Sequence, residues 1–413
     1  MNILFVSEYW HPKGRGGGEL SGMLLAEALA KRGFHCTVLT SWFDGLDREE
    51  IVRGVRILRR LKTGDDPGTF SGNIGRLGFD SSVKSQVEKF CLNEKVDIVH
   101  SLNVTSIVGV SKAEISAKKI AHINSPLPFC PKGTKLRYGE ECSVKCSFWN
   151  YFIPCVIGSE EFGKISASRI KWNVPFLIVA YRRWKNINNS LRLFDFFFPI
   201  SAYLQSWLIR YDIPLERTLV LPNIVDLKSF TPLKKGEQKI MEKGKNVRVL
   251  YIGALLHSKG VDVFVEATKY LKDATCFVYG EGPLQSIVEE SHIKFHSSVP
   301  YNDIPMIVQS CDILVFPSRV PEAFGRVALE AMSCGKVVVA SRVGGIPDIV
   351  TEDTGILVNP GSVEELSNAL ELLVKDKKFR ENIGKKALHR ARTVFTTKKI
   401  VDTCVNVYKS LLQ

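Results

Sequence analysis

Two glutamates, Glu322 and Glu330, stand eight positions apart in the segment Pro321-Glu322-Ala323-Phe324-Gly325-Arg326-Val327-Ala328-Leu329-Glu330. The pattern predicts a helix over 324–333, with Glu322 at its start and Glu330 in its body. At the rise and turn of an α-helix the two carboxylates sit ~12 Å apart on roughly the same side. That is too far for a shared metal ion and wider than the roughly 5–9.5 Å of a glycosidase carboxylate pair. It suits two hydroxyl-bearing groups separated by a diphosphate, as in a nucleotide sugar, with Glu322 toward the sugar and Glu330 toward the ribose. The helix N-terminus between them offers N–H groups to an anion. By spacing alone, two solvated carboxylates on one helix account for the pair better.

The elements that must position these residues follow a repeated grammar. Ile3 to Val6 is a short apolar run of the kind a buried parallel strand requires. A glycine-rich turn follows from His11 to Glu19, and then Leu20, Leu24, Leu25, Ala28 and Leu29 recur at helical spacing. Gly33 sits where a helix ends, and Cys36 to Leu39 restores strand character. This is one βαβ unit. The grammar restarts at the strand Val247 to Ile252, followed by a helix over Gly260 to Leu271 and strands at Thr275 to Val278, Asp312 to Phe316 and Val337 to Ala340. Ser362-Val363-Glu364-Glu365 reads as a capping box opening a helix toward Val374. The polar, lysine-rich stretch from Leu233 to Asn246 reads as a linker. The expectation is an α/β protein of two Rossmann-like, doubly wound domains facing a central cleft. The first covers 1–232, the linker 233–246 and the second 247–395, and an amphipathic helix at 396–413 is placed to cross back to the first.

Composition narrows the classes. The chain has 413 residues, 56 Lys or Arg and 43 Asp or Glu, for a formal net charge of +13. Hydrophobic content of 45% and charged content of 24% are ordinary globular values and exclude a mainly disordered chain. No apolar run approaches the ~20 residues of a spanning helix. The start, Met1-Asn2-Ile3-Leu4-Phe5-Val6-Ser7, reads as a first strand rather than a signal peptide. Ten cysteines without an export signal read as reduced thiols. The basic balance permits nucleic-acid binding, but no base-stacking or groove-reading motif supports it. A cytoplasmic protein is expected.

The segment around Glu322 and Glu330, with Gly344-Gly345-Ile346-Pro347-Asp348 downstream, resembles the Glu-x7-Glu signature of the family 4 retaining glycosyltransferases. Further markers fall in that family's order: Gly16-Gly17-Gly18-Glu19, Val96-Asp97-Ile98-Val99-His100, Leu221-Pro222-Asn223-Ile224-Val225-Asp226, Gly253 with Lys259-Gly260, and Gly280-Glu281-Gly282-Pro283. The resemblance implies the GT-B fold and transfer of a sugar from a UDP- or GDP-sugar donor to a glycan or lipid-linked acceptor. It implies no cofactor and no catalytic metal. Catalysis would rest on electrostatic stabilisation of the departing diphosphate. The resemblance gives Glu322 and Lys259 the catalytic roles, Glu322 orienting the sugar and Lys259 neutralising phosphate. It places Gly16, Gly17, Asn124, Phe324, Gly325, Arg326 and Glu330 on the donor. Gly16 and Gly17 let backbone approach the phosphates because no Cβ intervenes, and Phe324 and Gly325 would offer backbone N–H groups.

The sequence departs from the pattern in two places. Family members carry arginine five residues before the phosphate lysine, where this chain has Ala254. Aligning on Cys130-Pro131-Lys132-Gly133 puts Asn124 at the position of the family's donor-contacting histidine, with His122 two residues earlier. These departures keep two rivals open: a non-catalytic sugar-nucleotide-binding subunit, and a GT-B epimerase or phosphorylase. A dinucleotide-dependent dehydrogenase is weaker, because Glu19 stands where that glycine motif needs glycine.

Two further features stand apart from the signature. Cys130, Cys142, Cys146 and Cys155 fall within one short stretch, which four-thiolate zinc binding or simple buried thiols would both explain. From 162 to 194 there are seven Lys or Arg and no acidic residue, interleaved with Val174–Val179, Trp172 and Trp184. Such a stretch suits either peripheral contact with an anionic membrane at its inner face or an ordinary helix pair with a solvated basic face.

Overall fold

The computed structural model describes residues 1–14, 16–64, 76, 78–137, 140–157, 174–233 and 246–413. The chain divides into two units, one of Met1–Ile224 with Thr397–Gln413, the other of Val225–Thr396. Residues 225–232, placed in the first domain by the sequence reading, thus group with the second unit. Of the expected linker, 234–245 lies outside the described residues.

The first unit is built on a seven-stranded sheet. Its strands are β1 (Asn2–Val6), β2 (His35–Ser41), β3 (Glu49–Val52), β4 (Val55–Leu61), β5 (Ile98–Ser101), β6 (Lys118–Ile123) and, after a small hairpin of β7 (Leu136–Arg137) and β8 (Glu140–Glu141), β9 (Phe196–Pro199). The order is β3-β4-β2-β1-β5-β6-β9, parallel apart from the edge strand β3. Ile3, Leu4, Phe5 and Val6 are all buried, as expected of a strand covered on both faces. The helix Gly17–Ala30 presses Leu25, Ala26 and Leu29 onto this sheet. It ends through Gly33, whose φ of +84° and N–H to Ala30 O reverse the chain into β2. The C-terminal helix, Thr397–Leu412, belongs to the same unit. Its stripe of Ile400, Val401, Cys404, Val405 and Tyr408 repeats at helical spacing and joins the core that holds Ile3, Phe5 and Leu29.

The second unit carries a six-stranded parallel sheet of β10 (Val247–Ile252), β11 (Ala274–Tyr279), β12 (Lys294–His296), β13 (Ile313–Phe316), β14 (Val337–Ser341) and β15 (Gly355–Val358). Its order is β12-β11-β10-β13-β14-β15. The Ser362 side chain caps the helix Val363–Lys375 by accepting from Glu365 N–H. Glu365 does not return the bond to Ser362, as a full capping box would, and instead accepts from the Asn359 backbone and side-chain amides. Among the described residues, no helix is long and apolar enough to cross a membrane.

The basic stretch at 162–194 is partly visible. Residues 162–173, Trp172 included, lie outside the described residues. The helix Val174–Ser190 buries Trp184, whose indole N–H donates to Pro128 O, and leaves Arg182, Arg183 and Lys185 exposed. Trp184 is therefore a core residue, not an amphipathic surface anchor.

Candidate active site

The ends of β10 and β13 bring Lys259 and Glu322 together. After β10 the chain makes a short 3-10 turn, His257–Lys259, and leaves it through Gly260 at φ +71°. A Cβ on Gly260 would fall 1.9 Å from Pro317 O, so only glycine lets this turn lie against the end of β13. Arg319 N–H donates to Ser258 O across the same junction. The result sets Lys259 Nζ 2.6 Å from Glu322 Oε1, and the Ser318 hydroxyl donates to the same oxygen at 2.8 Å. Glu322 is held from behind as well: Gly345 N–H donates to its carbonyl at 2.7 Å, with Gly344 at φ +53° packed on it. Burial first, and then the negative charges of Glu322 and Asp262, push the nearby Tyr251 phenol above its ordinary value.

The geometry corrects one expectation. The helix begins at Arg326, not near Phe324, because Gly325 at φ +99° is its N-cap. Glu322 lies in the loop before it, so the helical estimate of the Glu322–Glu330 separation does not apply. Phe324 buries its ring against Phe395, leaving its backbone just ahead of the helix start.

Glu330 sits inside that helix at 1% exposure. One of its oxygens accepts from the Tyr301 hydroxyl at 3.0 Å and from Arg326 Nη2 at 3.2 Å, and Arg326 also donates to the Tyr301 oxygen at 2.9 Å. Burial raises the Glu330 carboxyl above its usual range, while Arg326 and Tyr301 pull it down. Tyr301 was invisible to sequence reading: it precedes Glu330 by 29 positions in a turn with no motif of its own.

Near the site, one oxygen of Asp262 is met by His257 Nδ1 at 2.9 Å and by Arg319 Nη2 at 2.7 Å. The position five residues before Lys259 is Ala254, whose carbonyl accepts from the Tyr251 hydroxyl.

The remaining candidates belong to the first unit. Gly16 caps the helix Gly17–Ala30 in an extended conformation, with Glu19 in the first turn. Asn124, just past β6, donates to Leu102 O at 3.0 Å, and a Cβ on Gly18 would meet its amide nitrogen at 2.9 Å. The glycine turn and Asn124 are therefore neighbours. His122, two residues earlier on β6, is buried, its imidazole stacked 5.5 Å from that of His100. Among the ion pairs of the same unit that sequence reading missed are buried Glu8 with Arg76 at 2.7 Å and fully buried Arg59 with Glu50.

Comparison with known proteins places this arrangement. Two parallel-sheet α/β units with this topology define the GT-B glycosyltransferase fold. Sucrose-phosphate synthase from Thermosynechococcus elongatus superposes with a TM-score of 0.76 at 20% identity, over 99% of this chain and 98% of that one. HepE of Anabaena in complex with UDP-glucose superposes with a TM-score of 0.69 at 21% identity, over 99% and 100%. Residues 15–229 match the family model described as Glycosyltransferase Family 4, and residues 234–390 the model described as Glycosyl transferases group 1. The chain belongs to glycosyltransferase family 4. Among its relatives, the sulfoquinovosyl transferase SQD2 of Arabidopsis thaliana is 35% identical over 175 residues, which is 40% of this chain and 34% of the relative. The D-inositol 3-phosphate glycosyltransferase of Corynebacterium aurimucosum is 29% identical over 371 residues, 77% of this chain and 84% of the relative. The chain thus spans about a third of the length of the plant relative.

Proposed function

We propose that the chain is a retaining glycosyltransferase that moves a sugar from a UDP- or GDP-sugar to a glycan or lipid-linked acceptor. The observation that carries this reading is the Lys259–Glu322 pair at 2.6 Å, held by glycine contacts on both sides. Without donor, Glu322 neutralises the lysine. With donor bound, Lys259 turns to the diphosphate, where negative charge develops as the glycosidic bond breaks, and Glu322 is released to the sugar hydroxyls. In this reading Phe324 and Gly325 present backbone N–H groups, and Arg326 and Glu330 hold the ribose end. The relative solved with UDP-glucose supports a uridine donor. No metal or cofactor takes part in the proposed step.

The relative named for D-inositol 3-phosphate favours a small hydroxyl acceptor. Peripheral contact with an anionic membrane at its inner face is assigned to the stretch 162–194, whose described part exposes Arg182, Arg183 and Lys185. The test is turnover of UDP- and GDP-sugars with hydroxyl acceptors, without added divalent metal, with the product anomer read by NMR. Product of the donor's own anomeric configuration supports the reading. Donor binding without turnover on any acceptor would instead favour a non-catalytic binding subunit, and sugar-nucleotide isomerisation without acceptor an epimerase.

A further inference from the structure

The segment from Phe129 to Ile157 has almost no core of its own. It consists of the two-residue strands β7 and β8, a four-residue helix at Phe148–Tyr151 and one irregular turn at Phe152–Ile157. Its own buried cluster is Tyr151 and Cys155, with Cys146, Phe152 and Tyr181 packed against them. Trp149 and Ile153 face outward at 68% and 52% exposure. Small modules of this kind depend on a staple because apolar burial alone does not offset the ordering of the chain.

The four cysteines of the segment supply one. Cys130, Cys142, Cys146 and Cys155 line a single cavity of about 20 Å³, room for about one water-sized occupant. Backbone contacts fix their approach. Gly133 N–H bonds to Cys130 O, turning the chain into the hairpin, and Cys142 N–H bonds to Lys135 O where the hairpin closes. Cys130 and Cys142 therefore flank the hairpin's open end. The Tyr211 hydroxyl accepts from Cys146 N–H at 2.9 Å and donates to Phe129 O at 3.0 Å, tying the third cysteine to the neighbour of the first.

Lys132, Lys135 and Arg137 line the cavity with the thiols, and among the described residues no carboxylate does. Lys135 is 1% exposed, its Nζ 3.2 Å over the Trp207 ring and 3.4 Å from Val144 O.

We propose that Cys130, Cys142, Cys146 and Cys155 bind one structural zinc ion that staples the Phe129–Ile157 segment. As the side chains stand, among the described residues no three His, Cys, Asp or Glu are arranged to hold an ion. The proposal therefore requires the four thiols lining this cavity to turn toward its centre on binding. Binding releases four thiol protons to solvent and forms four Zn–S bonds, with no change of oxidation state. A single ion is preferred to an iron–sulfur cluster because the cavity is the size of one atom. The site belongs to the first unit, whereas Lys259 and Glu322 belong to the second, and it does not depend on the donor reading.

The test is metal analysis of full-length protein purified without chelator from zinc-supplemented cells. The expected result is about one zinc per chain, with X-ray absorption finding four sulfur neighbours at about 2.3 Å. Cobalt exchange should give the intense bands of a tetrahedral four-thiolate site. The double variant Cys142→Ser/Cys146→Ser should lose the metal, and Cys91→Ser, outside the segment, should keep it. Folded wild-type protein that carries no zinc and gives no cobalt bands overturns the proposal, whatever the variants do. Iron–sulfur absorbance, or zinc retained by the double variant, overturns it equally.

Discussion

His100 Nδ1 lies 2.6 Å from the Tyr408 hydroxyl, joining β5 to a helix 308 residues further along the chain. Both residues are fully buried, so the bond is made where water cannot replace it. Tyr408→Phe keeps the ring but leaves the His100 nitrogen without its partner, and should cost about 1–3 kcal/mol. Removing residues 397–413 strips Ile400, Val401, Cys404 and Tyr408 from the same core and should leave the first unit unfolded. Urea unfolding followed by circular dichroism checks both, and a Tyr408→Phe variant as stable as wild type would refute the assigned role.

The imidazole behind that bond predicts a pH dependence. Burial lowers His122 from its ordinary 6.5 to about 4, and lowers His100 as well, with the His122 charge adding to the effect. Each is neutral when folded, whereas the unfolded chain takes up the proton first as pH falls. The stability is therefore complete above about pH 6.5 and is lost as pH drops from there toward about 4. Between pH 7 and pH 5 His122 alone should account for about 2 kcal/mol. His122→Phe should flatten the profile by that amount in urea titrations at the two pH values, and an unchanged slope would refute it.

How far these features were legible in the sequence depends on how local their cause is. Strands such as Val247–Ile252 and the N-terminal βαβ unit were readable because an apolar run between turns admits few other structures. The start of the helix at Arg326 was misplaced by two residues, since the periodicity continues through Phe324 and only the left-handed Gly325 interrupts it. Glu322 and Lys259 were found through their motif, but their direct pairing was not, because it depends on Gly260 seating one turn on Pro317. Tyr301 on Glu330, and Tyr408 on His100, join residues distant in sequence, and no spacing rule reaches across such intervals.

The pairing of Lys259 with Glu322 predicts opposite effects on ligand binding. Lys259→Ala removes the phosphate cation and should weaken both nucleoside diphosphate binding and turnover, the latter by about 100-fold or more. Glu322→Gln removes the carboxylate that competes with phosphate for the lysine. It should bind the nucleoside diphosphate as tightly as wild type or more tightly, while losing turnover to a similar extent. Calorimetric titration with UDP and GDP reads the first quantity and a steady-state assay the second. Weakened binding in Glu322→Gln would show that the carboxylate does not compete for Lys259.

Arg326 and Tyr301 share one oxygen of Glu330, and their losses should not be equal. Arg326→Ala leaves a buried carboxylate with a hydroxyl as its partner, and should destabilise the second unit by about 3 kcal/mol. Tyr301→Phe removes a neutral donor while the guanidinium remains, and should cost about 1 kcal/mol. A ranking reversed in thermal unfolding would mean that Tyr301, rather than the charge pair, holds the carboxylate in place.

Gly260 offers the sharpest test of how the backbone sets the site. Alanine there must accept φ +71° and place its Cβ 1.9 Å from Pro317 O, an overlap that only a backbone shift can relieve. The residue that moves first is Lys259, the neighbour of Gly260, so its Nζ should leave Glu322. Gly260→Ala should therefore lose activity nearly as completely as Lys259→Ala, although no side chain that touches substrate has changed. The strain should also destabilise the second unit by about 1–3 kcal/mol. Gly33, at φ +84° but with nothing within 4 Å of a built Cβ, separates the two contributions. Gly33→Ala carries the backbone strain without the clash, so it should lower the melting temperature and leave turnover intact. If Gly260→Ala retained turnover, the close approach to Pro317 would not be what positions the lysine.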